Sequence, residues 1–219
     1  MSSILTVTNL KHASSGSNNI VLDSSGNTTN SGTFTSTGAI TASGGIANAG
    51  TISAGTIGSA VTGSGIKNAS LWRLTTDFNG DASPVTTMEE SDTPVGFGVL
   101  GASIGYSSGY FTFPVTGYWL IMLSWSWMRT SGDDRQCMAG INTTIDNSTY
   151  AIAAWSKQGL KGISSTTYAN VVVNYIFDVT DTANCKCHIN VDPTDGSTTS
   201  LGDYTENHST ISFIRLGDT

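Results

Sequence analysis

Five glycines, Gly26, Gly32, Gly38, Gly44 and Gly50, recur at every sixth residue, and two positions after the last four stand Phe34, Ile40, Ile46 and Ile52. Gly55 and Ile57 repeat the pair after a single step of five. Six is a multiple of the two-residue strand period, so these apolar side chains project from one side of an extended chain. A disordered Gly/Ser linker has no reason to hold β-branched residues in register. The glycines supply turns or close backbone approaches, and no proline interrupts a hydrogen-bond ladder here. One apolar residue in six, however, cannot offset roughly 1–2 kcal/mol of backbone entropy per residue. A solenoid is too short as well, because stacked repeats need about three units and fewer than about two coils are available. The stripe makes sense if several identical chains pool it on a shared axis. We therefore expect an intertwined homotrimeric β-shaft over residues 26–68, with Phe34, Ile40, Ile46, Ile52 and Ile57 as its core. A disordered linker is the alternative, and the five-residue step to Gly55 has no account.

Composition divides the chain at the same place. Residues 13–66 hold one charged side chain, Asp23, and one aromatic, Phe34, whereas all five Trp and all seven Tyr lie from Leu71 onward. Aromatic side chains contribute most to burying a core, so the compact domain is expected over 69–219, after an N-terminal segment at 1–25 and the shaft. A net charge of −7 with no basic run argues against nucleic acid as a partner. No apolar stretch has the length of a membrane span, and the N-terminus lacks the basic start and apolar core of a secretory signal. Asn-x-Ser/Thr triplets begin at Asn27, Asn68, Asn142, Asn147 and Asn207, as a chain rich in these residues produces by chance.

From Leu71 the pattern is short period-two runs between polar turns, without a helical period. In the run from Gly109 to Met128, Trp119, Ile121, Leu123, Trp125 and Trp127 share one face. The opposite face begins apolar with Tyr118, Leu120 and Met122. A strand apolar on both faces is covered on both, so these three are candidates for a trimer interface. Along 167–179, Ala169, Val171, Val173, Tyr175 and Phe177 are expected inside and Asn170, Asn174 and Asp178 outside. Along 185–191, Cys185, Cys187, Ile189 and Val191 are expected inside, with Lys186, His188 and Asn190 in solvent. Asp181 to Asn184 is expected to form a tight turn, and 209–218 a strand near the domain centre.

Chemistry-bearing clusters are sparse. Cys137, Cys185 and Cys187 are too few for a disulfide framework, and Cys185 and Cys187 share a strand face in a poor geometry for bonding each other. The CxC pair is half a metal site at best, against the plainer reading of small buried side chains. The histidines at 12, 188 and 208 have no triad or ligand spacing. Glycan cleavage needs two carboxylates facing across a groove. The candidates Glu89/Glu90, Asp133/Asp134, Asp192/Asp195 and Asp203/Glu206 sit in polar loops, where acidic residues serve solubility. Neither an enzyme nor a cofactor is expected.

The segment GYFTFPVTGY at 109–118 and the closing SFIRL at 212–216 resemble the complement-q-type globular heads. The resemblance covers about residues 71–217 and implies a tumour-necrosis-factor-like jelly roll, an antiparallel sandwich that assembles as tight trimers. With the turn NIVLDSSGN at 19–27 and the hexad stretch, the whole layout is similar to bacteriophage virion fibre proteins. That likeness implies a virion component that attaches to other virion proteins by its N-terminus and presents its head to a host-surface glycan or protein. In a jelly roll, the loops 130–135, 157–166 and 192–207 would share the apex. Asp133, Asp134, Arg135, Trp155, Lys157, Asp195 and Tyr204 are then the receptor-contact candidates, with calcium as an optional support. Capsid decoration, a secreted lectin-like adhesin and a glycan depolymerase are the alternatives.

Overall fold

The computed structural model describes residues 9–10, 20–22, 28–30, 65–93, 96, 98–163 and 165–219. The chain divides into two units, Met1–Gly58 and Ser59–Thr219. In the first, β1 (Asn9–Leu10), β2 (Ile20–Leu22) and β3 (Thr28–Asn30) form an antiparallel meander, with Leu10 opposite Ile20 and Val21 opposite Thr29. The β2–β3 pairing straddles the expected boundary at residue 26. The shaft positions Phe34, Ile40, Ile46, Ile52 and Ile57 lie outside the described residues.

The second unit contains two antiparallel sheets and, among the described residues, no helix. Its strands are β4 (Ala69–Leu74), β5 (Phe78–Asn79), β6 (Met88–Glu90), β7 (Gly105–Ser107), β8 (Tyr110–Thr112) and β9 (Gly117–Arg129). After these come β10 (Asp134–Thr144), β11 (Ala151–Leu160), β12 (Thr167–Val179), β13 (Lys186–Pro193), β14 (Thr199–Ser200) and β15 (Thr210–Gly217). One sheet runs β11-β10-β13-β8-β7. The other runs β6-β4-β15-β9-β12, with β14 and β5 extending the β15 edge of β9. Both faces expected of β12 are found, and β15 takes the central place expected of it, between β9 and β4.

Aromatic side chains join the sheets into a sandwich. Phe111 of β8 packs on Trp72 and Phe213 at centroid distances of 5.5 and 5.1 Å, and Phe113 packs on Trp119, Phe177 and Phe213. Trp119, Trp125 and Trp127 are fully buried, so one face of β9 forms the middle of the core. Cys137, Cys185 and Cys187 are buried free thiols, in line with the plainer expectation for them. The Asp181 carboxylate accepts from the Ala183 N–H and the Asn184 amide, while its carbonyl accepts from Cys185 N–H, closing the expected turn.

Two expectations are corrected. Residues 109–128 are not one strand: 110–112 pair in the five-stranded sheet and 117–129 in the other. Pro114 cannot donate to a ladder, and Gly117 turns the corner at φ +135°, where an added Cβ would lie 2.3 Å from the Gly217 carbonyl. The second correction is His188, which stands on the expected outer face yet is only 5% exposed, because Tyr110 and Tyr150 pack over its ring.

Candidate functional site

Alternating strand directions bring three connections to one end of the sandwich. Arg129 pairs with Thr167, Asp134 with Leu160, Cys137 with Pro193, and Met128 with Thr199. The loops 130–133, 161–166 and 194–198 therefore meet there, whereas the expected apical loop 192–207 is interrupted by β14 and its 201–207 part runs on the β4 side. Hydrogen bonds fasten them to one another. Asp133 accepts from the Gly162 N–H at 2.6 Å. The Arg129 guanidinium donates to the Gly132 carbonyl, Thr198 Oγ1 and Asp195 Oδ2, the last at 2.6 Å. Asp134 accepts from Thr198 Oγ1 at 2.6 Å and from the N–H groups of Gln136 and Asp195.

The electrostatics follow from these partners. The Arg129 hydrogen bond holds the Asp195 carboxyl well below the usual carboxylate range. Burial on its own would raise Asp134, but the Thr198 hydroxyl and two backbone N–H groups outweigh it and keep that carboxyl low. Cys137, beside Asp134, is pushed up to about 12 by burial and by the neighbouring negative charge. Its thiol is therefore inert, since the thiolate is the nucleophile.

This network sorts the seven predicted contact residues. Asp134 is 2% exposed and bonded inward, which removes it from the outward-facing set. Asp133 and Asp195 are engaged in holding the loops together. Arg135 is exposed, and Trp155 stands 53% exposed on β11 with the Lys157 ammonium 4.6 Å above its ring. Tyr204, 70% exposed, belongs to a loop that bonds to Leu74 and Asp77 on the β4 side, so the structure does not bring it together with β11.

Of the other carboxylates weighed as facing pairs, Glu89, Glu90 and Asp203 are engaged elsewhere. Glu89 and Asp92 both receive the buried Arg73 guanidinium, Glu90 accepts from Ser103 Oγ, and Asp203 accepts from the N–H groups of Thr205 and Glu206. Sequence reasoning missed Arg129 and Arg73, which organise these loops. An arginine closing an otherwise apolar strand, as Arg129 does after Trp127 and Met128, is the signal that could have found the first.

A second feature lies on the sheet face turned away from the core. Register aligns Ala69, Ile214, Leu120 and Ile176 in one row, and Leu71, Ser212, Met122 and Asn174 in the next. Tyr118 is 43% exposed, Val172 58% and Ile176 57%. Toward the apex the face turns polar, where the Asn170 amide bridges the Ser124 and Ser126 hydroxyls. Among the described residues β12 pairs with β9 alone and β11 with β10 alone, so the two are neighbouring edge strands on one flank, with Ile152 and Trp155 exposed there.

Compared with known protein families and with curated proteins, the chain matches none of them.

Proposed function

We propose that this chain is a structural and adhesive virion component: a homotrimeric fibre whose distal head contacts the host surface. The observation that carries the proposal is the outer face of β9 and β12, where Tyr118, Val172 and Ile176 are exposed beside the half-buried Leu120 and Met122. A contiguous exposed apolar patch marks an interaction site, and a strand apolar on both sides is covered on both sides. The same molecule offers the complementary part, a free flank bearing Ile152 and Trp155. A face that meets a flank is a heterologous contact, and such contacts close into rings when the rotation allows. Three copies is the closure that also pools the hexad stripe of residues 34–57 on one axis.

The strand orders β6-β4-β15-β9-β12 and β11-β10-β13-β8-β7 support reading the sandwich as a tumour-necrosis-factor-like jelly roll. In that frame the fastened loops form a rigid threefold apex that presents Arg135, with Trp155 and Lys157 on the flank beneath. Three weak contacts at one apex act together. The test is location. Antibody against the head should label a fixed site at a copy number divisible by three on purified particles, and soluble head should compete with particle adsorption. Labelling across the capsid surface favours decoration, and no labelling of particles overturns the reading.

A further inference from the structure

At the end of the sandwich opposite the fastened loops, on the outer face of the five-stranded sheet, lies a cleft of about 530 Å³. Its walls are the β7–β8 turn and the loop joining β10 to β11. The rings of Tyr110 and Tyr150 meet at 5.2 Å and 45°, with His188 packed against both at 5.4 and 4.9 Å. Around these rings stand hydroxyl and amide groups from Ser107, Ser108, Asn147 and Ser148, and the Lys186 ammonium, which forms no ion pair among the described residues.

The cleft is built before any ligand arrives. Asp146 accepts from the N–H groups of Thr149 and Ser148 and from the Thr144 hydroxyl, all within 2.9 Å, which sets the wall and keeps its own carboxyl well below the usual range. The two non-glycine residues with positive φ among those described, Ser108 at 52° and Asn147 at 57°, both line this cleft. Such conformations are uncommon outside glycine and gather at ligand sites. The buried His188 Nδ1 and the buried Oδ1 of its cross-strand neighbour Asn142 have no partner among the described residues. A buried polar atom left unpaired calls for a specific reason, and a cover serving only to shield the sheet would have been satisfied by aliphatic side chains.

We infer that this cleft binds a pyranose sugar. The half-buried tyrosine rings suit the C–H side of a sugar ring where they reach the cleft, neutral hydroxyl and amide groups suit its hydroxyls, and Lys186 suits an acidic substituent. The volume falls within the roughly 300–1,000 Å³ usual for small-ligand sites. A peptide strand is not favoured, because the lining is mostly side chains of the outer sheet face and its loops, with only Ser107 coming from the edge strand β7. The inference stands independently of the virion reading and of the apical loops, which lie at the other end of the sandwich.

The experiment is saturation-transfer NMR on the full-length chain with methyl glucopyranoside, methyl galactopyranoside, N-acetylglucosamine and glucuronic acid. Saturation should reach the ring protons of at least one sugar, with a dissociation constant on the order of 1 mM. Tyr150→Ala should weaken that transfer at least tenfold, and Tyr150→Phe should leave most of it. Asn147→Gly, which keeps the positive φ, should weaken it as well. Lys186→Gln should affect glucuronic acid alone. Absence of transfer from the unaltered chain to all four sugars overturns the inference, as does transfer undiminished in Asn147→Gly. Should Tyr150→Ala fail to fold, Asn147→Gly and Lys186→Gln decide. None of these outcomes depends on where the protein sits in a particle.

Discussion

The two outer faces of the sandwich have been finished in different ways. On the seven-stranded sheet the face is partly aliphatic: Val172 and Ile176 are exposed, with Leu120, Met122 and Ile214 half-buried beside them and, among the described residues, no further layer over them. On the five-stranded sheet the corresponding face carries Tyr110, His188 and Asn142, and the chain folds its own 145–150 loop across them. In the proposed trimer the first would take a large apolar surface of another copy in place of water. The second leaves a small polar-rimmed cleft, the scale of a single sugar ring. Exposure alone therefore does not distinguish a binding site. What matters is whether the chain has already covered its own sheet.

The largest effect should come from charging the first of these faces. Leu120→Asp combined with Ile176→Asp places two carboxylates where the account puts an interface, so native mass should fall to that of one chain while far-ultraviolet circular dichroism stays unchanged. Retained assembly would move the interface elsewhere. Leu123→Ala, three residues from Leu120 but fully buried, should do the opposite. It should leave the assembly state intact and cost about 2–5 kcal/mol in denaturant unfolding. Equal behaviour of the two leucines would erase the distinction between the faces of β9.

Apical fastening comes next. Asp134→Ala leaves the Thr198 hydroxyl and the Gln136 N–H without their acceptor, so it should cost about 1–3 kcal/mol. In the folded chain this carboxyl lies below its ordinary value. Its stabilisation is therefore complete above the unfolded carboxyl range, near about pH 4, and is lost as pH falls through the lowered folded value. Melting curves of the parent and Asp134→Ala should converge as pH falls from 5 to 2. A gap independent of pH would contradict the assigned hydrogen bonds.

The smallest effect concerns His188, whose burial lowers its proton affinity. The unfolded chain takes up the proton first, so stability is complete above about pH 6.5 and declines below it. His188→Gln should remove that decline, a change in Tm of no more than about 3 °C. An unchanged slope between pH 7 and 5 would mean that the ring is open to water.

Much of the head was legible in the sequence because its strands alternate cleanly. Period two assigned the faces of β12, the burial of Cys185 and Cys187, and the Asp181 turn, since each depends on residues close in sequence. What could not be read depends on neighbours distant in sequence. His188 is on the solvent side of its own strand and becomes buried only because Tyr110 and Tyr150 arrive from other elements. The acidic residues of the apex looked like solvated loop charges. Asp134 is bonded instead to Thr198, which no local pattern pairs with it. The break of 109–128 between two sheets was hidden for the same reason. Pro114 and Gly117 mark a corner, but the choice of sheet on either side is tertiary.

In the proposed trimer the outer face of β9 and β12 is covered by a second and third copy of the chain. Sedimentation equilibrium of the full-length protein tests it directly. A trimer gives a single species with the mass of three 22.8 kDa chains across the concentration range. A species with the mass of one chain would contradict it.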